Sequence, residues 1–146
     1  MDNAEDSLEE MILEAEKYAS NPYAPYSGFR VVSIVKSTSG KLYPGVNVEN
    51  SSYGLTVCAE RVAIFNMVTN GERQISEILV YFLDATRPLP PCGACLQVIS
   101  EFAGDSDPLI HMCSKQTGTC VSRKLSELLP YSFSLREKGA AEESVE

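Results

Sequence analysis

Apolar positions along this chain change period several times, and the changes mark out its elements. Over residues 7–19, Leu8, Met11, Ile12, Ala15 and Ala19 recur at helical spacing with acids between them, which predicts an amphipathic helix. Ser7 with Glu10 three positions later fits a capping box at its start. Residues 21–28 hold two prolines and a glycine and read as a loop. The β-branched run 29–36 predicts a strand, 37–40 a turn, and 41–48 the second strand of a hairpin. Residues 50–56 are a polar loop. Segment 57–69 reads as a helix ending near Gly71, and the strongly apolar stretch 75–83 as a central strand. A proline-rich loop, 84–91, leads into a second core helix, 92–102, closed by Gly104. A strand over 109–113, a further strand over 118–122 and a helical turn over 125–129, stopped by Pro130, complete the pattern. This order predicts an α/β fold: a three-layer α/β/α sandwich around a mixed sheet of about five strands. Residues 1–136 read as a single domain and 137–146 as a disordered acidic tail.

Composition narrows the class. A chain of 146 residues suits one core, and its 44% hydrophobic content is ordinary for a soluble protein. No apolar run approaches the roughly 20 residues a membrane-spanning helix needs. The N-terminus is acidic and lacks the basic region and apolar stretch of a signal peptide, so the expected location is the cytoplasm. The formal net charge of −8 is concentrated at the ends. Residues 1–16 carry seven acids and no base, whereas 17–136 hold nine acids against eleven bases. A basic stripe interleaved with aromatic residues, the usual footprint of a nucleic-acid binder, is not visible. Neither nucleic acid nor membrane is expected as a partner.

Five cysteines make an odd count, which argues against a secreted disulfide framework. Three of them stand in two short elements, Cys58-Ala59-Glu60-Arg61 and Pro91-Cys92-Gly93-Ala94-Cys95. Cys92 and Cys95 are three apart, so one helical turn presents both to a single ion, and Cys58 completes a three-thiolate set. Three protein ligands leave a fourth position for water, the mark of a catalytic zinc site. Glu60 is placed to take a proton from that water and pass it on. Both elements open predicted helices, whose N-termini favour thiolates. Three thiolates on one dication leave a negative centre, and Arg61 is the cation nearest in sequence to offset it. A structural reading stays open, in which Cys113 or Cys120 supplies a fourth thiolate and Glu60 is a surface residue. Cys113 and Cys120 also read as small apolar core residues. His111, the only histidine, reads as a strand residue rather than a ligand.

The paired elements match the signature of zinc nucleobase deaminases, and the chain from about residue 25 to 133 resembles the small, homotetrameric cytidine deaminases. Pro25-Tyr26-Ser27-Gly28-Phe29 resembles the family's Pro-Tyr-Ser-x-Phe loop. Gly45-Val46-Asn47-Val48-Glu49-Asn50 resembles its nucleoside-binding segment, which Tyr53 and Val57-Cys58-Ala59-Glu60-Arg61 continue. Glu127-Leu128-Leu129-Pro130-Tyr131-Ser132-Phe133 resembles its C-terminal segment. The resemblance implies one Zn2+ per subunit on Cys58, Cys92 and Cys95, with Glu60 as proton shuttle. It implies that Asn47 and Glu49 bind the ribose 3′-hydroxyl, that Phe29 packs on the pyrimidine, and that the Ala59 backbone meets the ring's amide edge. Tyr53 would sit at a subunit contact, and Phe133 would reach a neighbouring subunit's pocket in a homotetramer. Each of these residues also has an ordinary structural reading: Phe29 and Phe133 as core, Asn47 as a strand end, Tyr53 as a packing residue. The implied activity is hydrolytic deamination of cytidine and 2′-deoxycytidine, a pyrimidine-salvage reaction. A deaminase of a modified cytosine nucleoside, of the blasticidin-S type, is the alternative. Two positions depart from the family: Arg30-Val31-Val32-Ser33-Ile34 replaces a proline and a run of small residues, and Leu96 stands where an arginine usually follows the second CxxC cysteine.

Overall fold

The computed structural model describes residues 4–136, so the expected tail, 137–146, lies outside the described residues. The chain runs α1 (Ala4–Glu16), β1 (Val31–Ser37), β2 (Leu42–Val46), a 3-10 turn (Tyr53–Leu55), α2 (Ala59–Thr69), β3 (Ile75–Phe82), α3 (Gly93–Glu101), β4 (Leu109–Ser114), β5 (Cys120–Lys124) and α4 (Leu125–Leu128). The five strands form one mixed sheet in the order β2-β1-β3-β4-β5. Only the central β3–β4 pair is parallel; the others are antiparallel. The predicted α/β sandwich is therefore present, with strands β1 and β3 at its heart.

Strand alternation explains the layers. Along β1, Val32 and Ile34 point to one face and Val31 and Val35 to the other. The first face joins Leu79, Tyr81 and Cys113 under Met11 and Ala15 of α1. The second joins Ile78, Val80 and Phe82 under Ala63, Ile64 and Met67 of α2 and Leu96 and Ile99 of α3. Each fully buried aliphatic side chain contributes about 1.5–3 kcal/mol, so both faces of β3 matter to stability. Gly45 lets the edge strand β2 lie directly on α2: a Cβ there would stand 2.2 Å from the Ala63 backbone nitrogen.

Three expectations change. First, the opening helix starts before Ser7, which is buried inside it and caps nothing. The Ser7 hydroxyl donates to Glu77 Oε2 at 2.8 Å and accepts from Lys36 Nζ at 3.0 Å, because α1 lies across the sheet at that point. Second, residues 120–124, rather than 118–122, form the last strand, since Gly118 takes a positive φ in the turn. Third, Cys113 and Cys120 are not separate apolar residues. They sit opposite each other on β4 and β5 and are joined by a disulfide; a reducing compartment would hold them as two thiols. His111 is a strand residue: its Nε2 lies 2.8 Å from Glu77 Oε1 and its Nδ1 2.7 Å from Ser122 Oγ.

Candidate active site

Two helix N-termini meet at the C-terminal end of β3. Cys58 is the N-cap of α2, and Cys92 is the N-cap of α3, with Cys95 on that helix's first turn. Pro90 and Pro91 hold the chain extended just before Cys92. The three sulfurs lie within 4.8 Å of one another, with Cys58 and Cys92 at 4.0 Å and Cys92 and Cys95 at 3.5 Å. Tetrahedral zinc with Zn–S bonds of about 2.3 Å needs sulfurs about 3.8 Å apart. The cluster therefore fits that ion. Cys113 and Cys120 stand opposite each other on β4 and β5 and outside the cluster, so among the described residues no fourth thiol joins it.

Electrostatics agree with a shared charge. The Cys58 thiol is pulled down to about 5, chiefly by its hydrogen bond with Cys95 and further by Arg61 and Cys92. The Cys95 thiol is pushed up, first by Cys58 and then by burial. Without a cation, the cluster resists losing a further proton; a dication removes that resistance. Arg61 Nη2 stands 3.7 Å from Cys58 Sγ. Leu96, in place of the family's arginine, is buried in the core and offers no charge.

Glu60, two residues after Cys58 on α2, is 5% exposed and lines the same cavity. Burial pushes its carboxyl up to about 7, with the Cys58 charge adding to the rise. A carboxyl balanced near neutrality can both take and give a proton. The cavity measures about 290 Å³ and is bounded by Phe29, Asn47, Glu49, Ala59, Phe82 and Leu89 as well as Cys58, Cys92 and Glu60.

The other predicted residues divide. Phe29 lines the cavity and leans on Phe82, with ring centroids 6.0 Å apart. Asn47 lines it too, but its amide is already bonded inside the chain: Nδ2 donates to the Phe29 carbonyl and Oδ1 accepts from Val31 N–H. Glu49 accepts from the backbone N–H groups of Tyr26 and Ser27, at 2.9 and 3.1 Å, and from the Ser27 hydroxyl. These bonds hold its carboxyl below the usual range, the Ser27 hydroxyl first. Tyr53 borders a neighbouring groove with Tyr26 instead and is largely exposed. Phe133 is exposed and away from this cavity; its carbonyl accepts from Gln97. Thr56, Phe82, Leu89 and Pro90 also border the cavity and escaped the sequence reading, while Ser27 and Val31, named there within motifs, border it without having been given a site role. Phe82 alone left a signal, as the last aromatic of an apolar strand.

A family model described as the cytidine and deoxycytidylate deaminase zinc-binding region matches residues 5–110, which contain all three cysteines of the cluster and Glu60. The chain belongs to that family. Among its relatives, a cytidine deaminase of Sporosarcina psychrophila is 38% identical over 93% of this chain and 98% of its own length. One from Halalkalibacterium halodurans is 39% identical over 87% of this chain and 94% of its own. The crystal structure of a cytidine deaminase from Burkholderia pseudomallei superposes with a TM-score of 0.79 at 36% identity, covering 86% of this chain and 98% of that one. Zinc is the group this family region binds, and the sulfur spacing of this deaminase-family chain suits it.

Proposed function

We propose that this chain hydrolyses the exocyclic amine of cytidine and 2′-deoxycytidine, releasing ammonia and the uracil nucleoside. The observation that carries the reading is Glu60: a buried carboxyl that lines one cavity together with Cys58 and Cys92 of the three-thiolate cluster. Relatives of nearly equal length named cytidine deaminase support the substrate.

Zinc bound by Cys58, Cys92 and Cys95 would supply one thing, acidification of a water at its fourth position. The chain's own residues do the rest. Glu60 accepts a proton from the water as the water oxygen adds to ring carbon C4, and delivers one to ring nitrogen N3. It then takes the remaining proton of the hydroxyl now on C4 and delivers it to the departing amine, so that C4–N breaks, the C4 carbonyl forms and ammonia leaves. Phe29 and Phe82 offer flat apolar surface to the pyrimidine, and the Ala59 backbone faces its amide edge. Asn47 and Glu49 stand at the sugar end, where an amide and a carboxylate suit a hydroxyl. Arg61 offsets thiolate charge. Residues 1–136 act as one domain, which the single continuous sheet supports.

Assembly as a homotetramer accords with the exposed Tyr53, Leu55, Tyr131 and Phe133, with Tyr53 at a subunit contact and Phe133 reaching a neighbour's cavity. A cytoplasmic place in pyrimidine salvage accords with the nucleoside substrate, and no described helix is long and apolar enough to cross a membrane. The two carboxylates that border the cavity favour a nucleoside over single-stranded nucleic acid as substrate.

The test is the ultraviolet band of cytidine mixed with zinc-loaded protein, with Glu60→Gln beside it. Uridine should form with the wild type only, while the variant keeps its zinc and its melting temperature. General acid–base catalysis is worth about 100- to 10,000-fold, so the variant should fall at least that far. An active Glu60→Gln protein would sink the mechanism.

A further inference from the structure

The cavity's aromatic wall is assembled from two distant parts of the chain. Phe29 precedes β1, and Phe82 ends β3. Phe29 is held by Asn47 through its carbonyl and Phe82 pairs with Val31 on the β1–β3 ladder; the residues just beyond them add further bonds across the two parts. Arg30 grips Asp84 through three donors: backbone N–H to Oδ2 at 2.8 Å, Nε to Oδ2 at 3.0 Å and Nη2 to Oδ1 at 2.7 Å. The Arg30 carbonyl accepts in turn from Leu83 N–H at 3.1 Å. Four bonds thus join Arg30, between cavity residues Phe29 and Val31, to the two residues that follow Phe82. Asp84 also begins the loop that carries Leu89, Pro90 and Pro91 to the cavity rim.

The pair itself does not line this cavity and stands at the surface, with side chains 49% and 25% exposed. Exposed ion pairs add little to stability. A planar guanidinium fork on both carboxylate oxygens adds geometry more than energy, and geometry is what two rings packed at a 43° tilt need. The Arg30 fork holds the Asp84 carboxyl well below the usual carboxylate range, so the grip stays charged at neutral pH.

We propose that Arg30 and Asp84 form a positioning pair that sets how Phe29 packs against Phe82, and thereby the aromatic wall offered to the flat pyrimidine ring. Neither touches the substrate. The pair acts on affinity rather than on proton transfer, because Glu60 and the cysteines hang from α2 and α3 instead. This inference rests on the nucleoside reading given above.

The experiment compares zinc-loaded wild type, Arg30→Ala, Arg30→Lys, Asp84→Ala and the double alanine variant. KM and kcat are measured for cytidine, and calorimetry gives Kd for the product uridine. Asp84→Ala removes all three donors' partner and should raise KM and Kd about tenfold; Arg30→Ala leaves the backbone bond and should raise them about threefold. The double variant should be no worse than Asp84→Ala, since both changes break one device. Arg30→Lys, which keeps charge without the fork, should fall between wild type and Arg30→Ala. Throughout, kcat should stay within about twofold and zinc content at the wild-type level. Unchanged KM and Kd in every variant, with only a lower melting temperature, would make the pair merely structural and overturn the proposal. Should Asp84→Ala fail to fold, Arg30→Lys and Arg30→Ala carry the test alone. An inactive wild type counts against the nucleoside reading, whereas uridine affinity reads the wall whether or not turnover occurs.

Discussion

Replacing Gly45 with alanine tests how tightly the fold controls the site. The backbone at Gly45 is not in the left-handed region, so the requirement is space rather than conformation. An added Cβ would lie 2.2 Å from Ala63 N, 2.6 Å from Ala59 O and 2.7 Å from Ala63 Cα. All three are backbone atoms of α2, so no side chain can turn aside. Ordinary contact begins near 3.4 Å; β2 and α2 must therefore separate by about 1.2 Å, the 3.4 Å needed less the 2.2 Å present. Overpacking costs about 1–3 kcal/mol, and a backbone clash belongs at the upper end. At about 3 kcal/mol, a chain of this size should lose about 10 °C in melting temperature.

The larger effect falls on chemistry. Ala59 lies between Cys58 and Glu60, and α2 carries both to the cavity. A shift near 1 Å at reacting groups can cost about 100-fold in rate. The assay pairs thermal unfolding by circular dichroism with kcat/KM for cytidine on zinc-loaded protein. Gly54→Ala is the control, because no atom outside its immediate neighbours lies within 4 Å of a Cβ there. A Gly45→Ala protein melting within about 2 °C of wild type, with kcat/KM within threefold, would refute the argument that β2 sets the height of α2.

Three further outcomes are expected. Chelation of zinc should abolish turnover and lower the melting temperature, and added zinc should restore both, since metal binding to the folded state is linked to folding; full activity in metal-free protein would exclude the site. Glu49→Gln should weaken binding of 2′,3′-dideoxycytidine as well as cytidine, because Glu49 holds the loop at Tyr26 and Ser27; an unchanged KM for the dideoxy compound would confine Glu49 to the sugar hydroxyl. Glu77 is held below the usual range, first by His111 and also by Ser7. A lowered folded-state value stabilises fully above the unfolded value of about 4.3 and is lost as pH falls through the folded value. Melting temperature should therefore decline below about pH 4.5, and Glu77→Gln should flatten that decline.

What the sequence made legible follows from which signals are local. Strands and helices appear within a few residues of their expected bounds because apolar spacing is a near-neighbour property. The cysteine elements were readable for the same reason: a CxxC on one helical turn needs no knowledge of the fold. Ser7 was misread because its partner, Glu77, is 70 residues away. A local capping box and a buried tertiary bond use the same residue types. The Phe82 side of the cavity was missed likewise, since a strand-end aromatic reads as core until the opposite wall is known. Cys113 and Cys120 looked like unconnected apolar residues; only the β4–β5 register shows them face to face. Asn47 reverses the pattern. Its place at the cavity was foreseen, yet its amide bonds to Phe29 and Val31 depend on a strand pairing that the residue types do not encode.

The cysteines explain why the site forms where local rules are broken. An N-cap usually carries a serine, threonine, aspartate or asparagine, whose side-chain oxygen satisfies a free backbone N–H. Cys58 and Cys92 occupy N-caps in ordinary extended geometry, and neither makes that bond. Each forgoes about 1 kcal/mol of capping. In exchange, each helix directs its positive end at a thiolate, and the two helices do so at one point because β3 separates and aligns them. A serine at either position would cap its helix better and remove a ligand. Poor caps at both helices therefore mark a site where function overrides local preference.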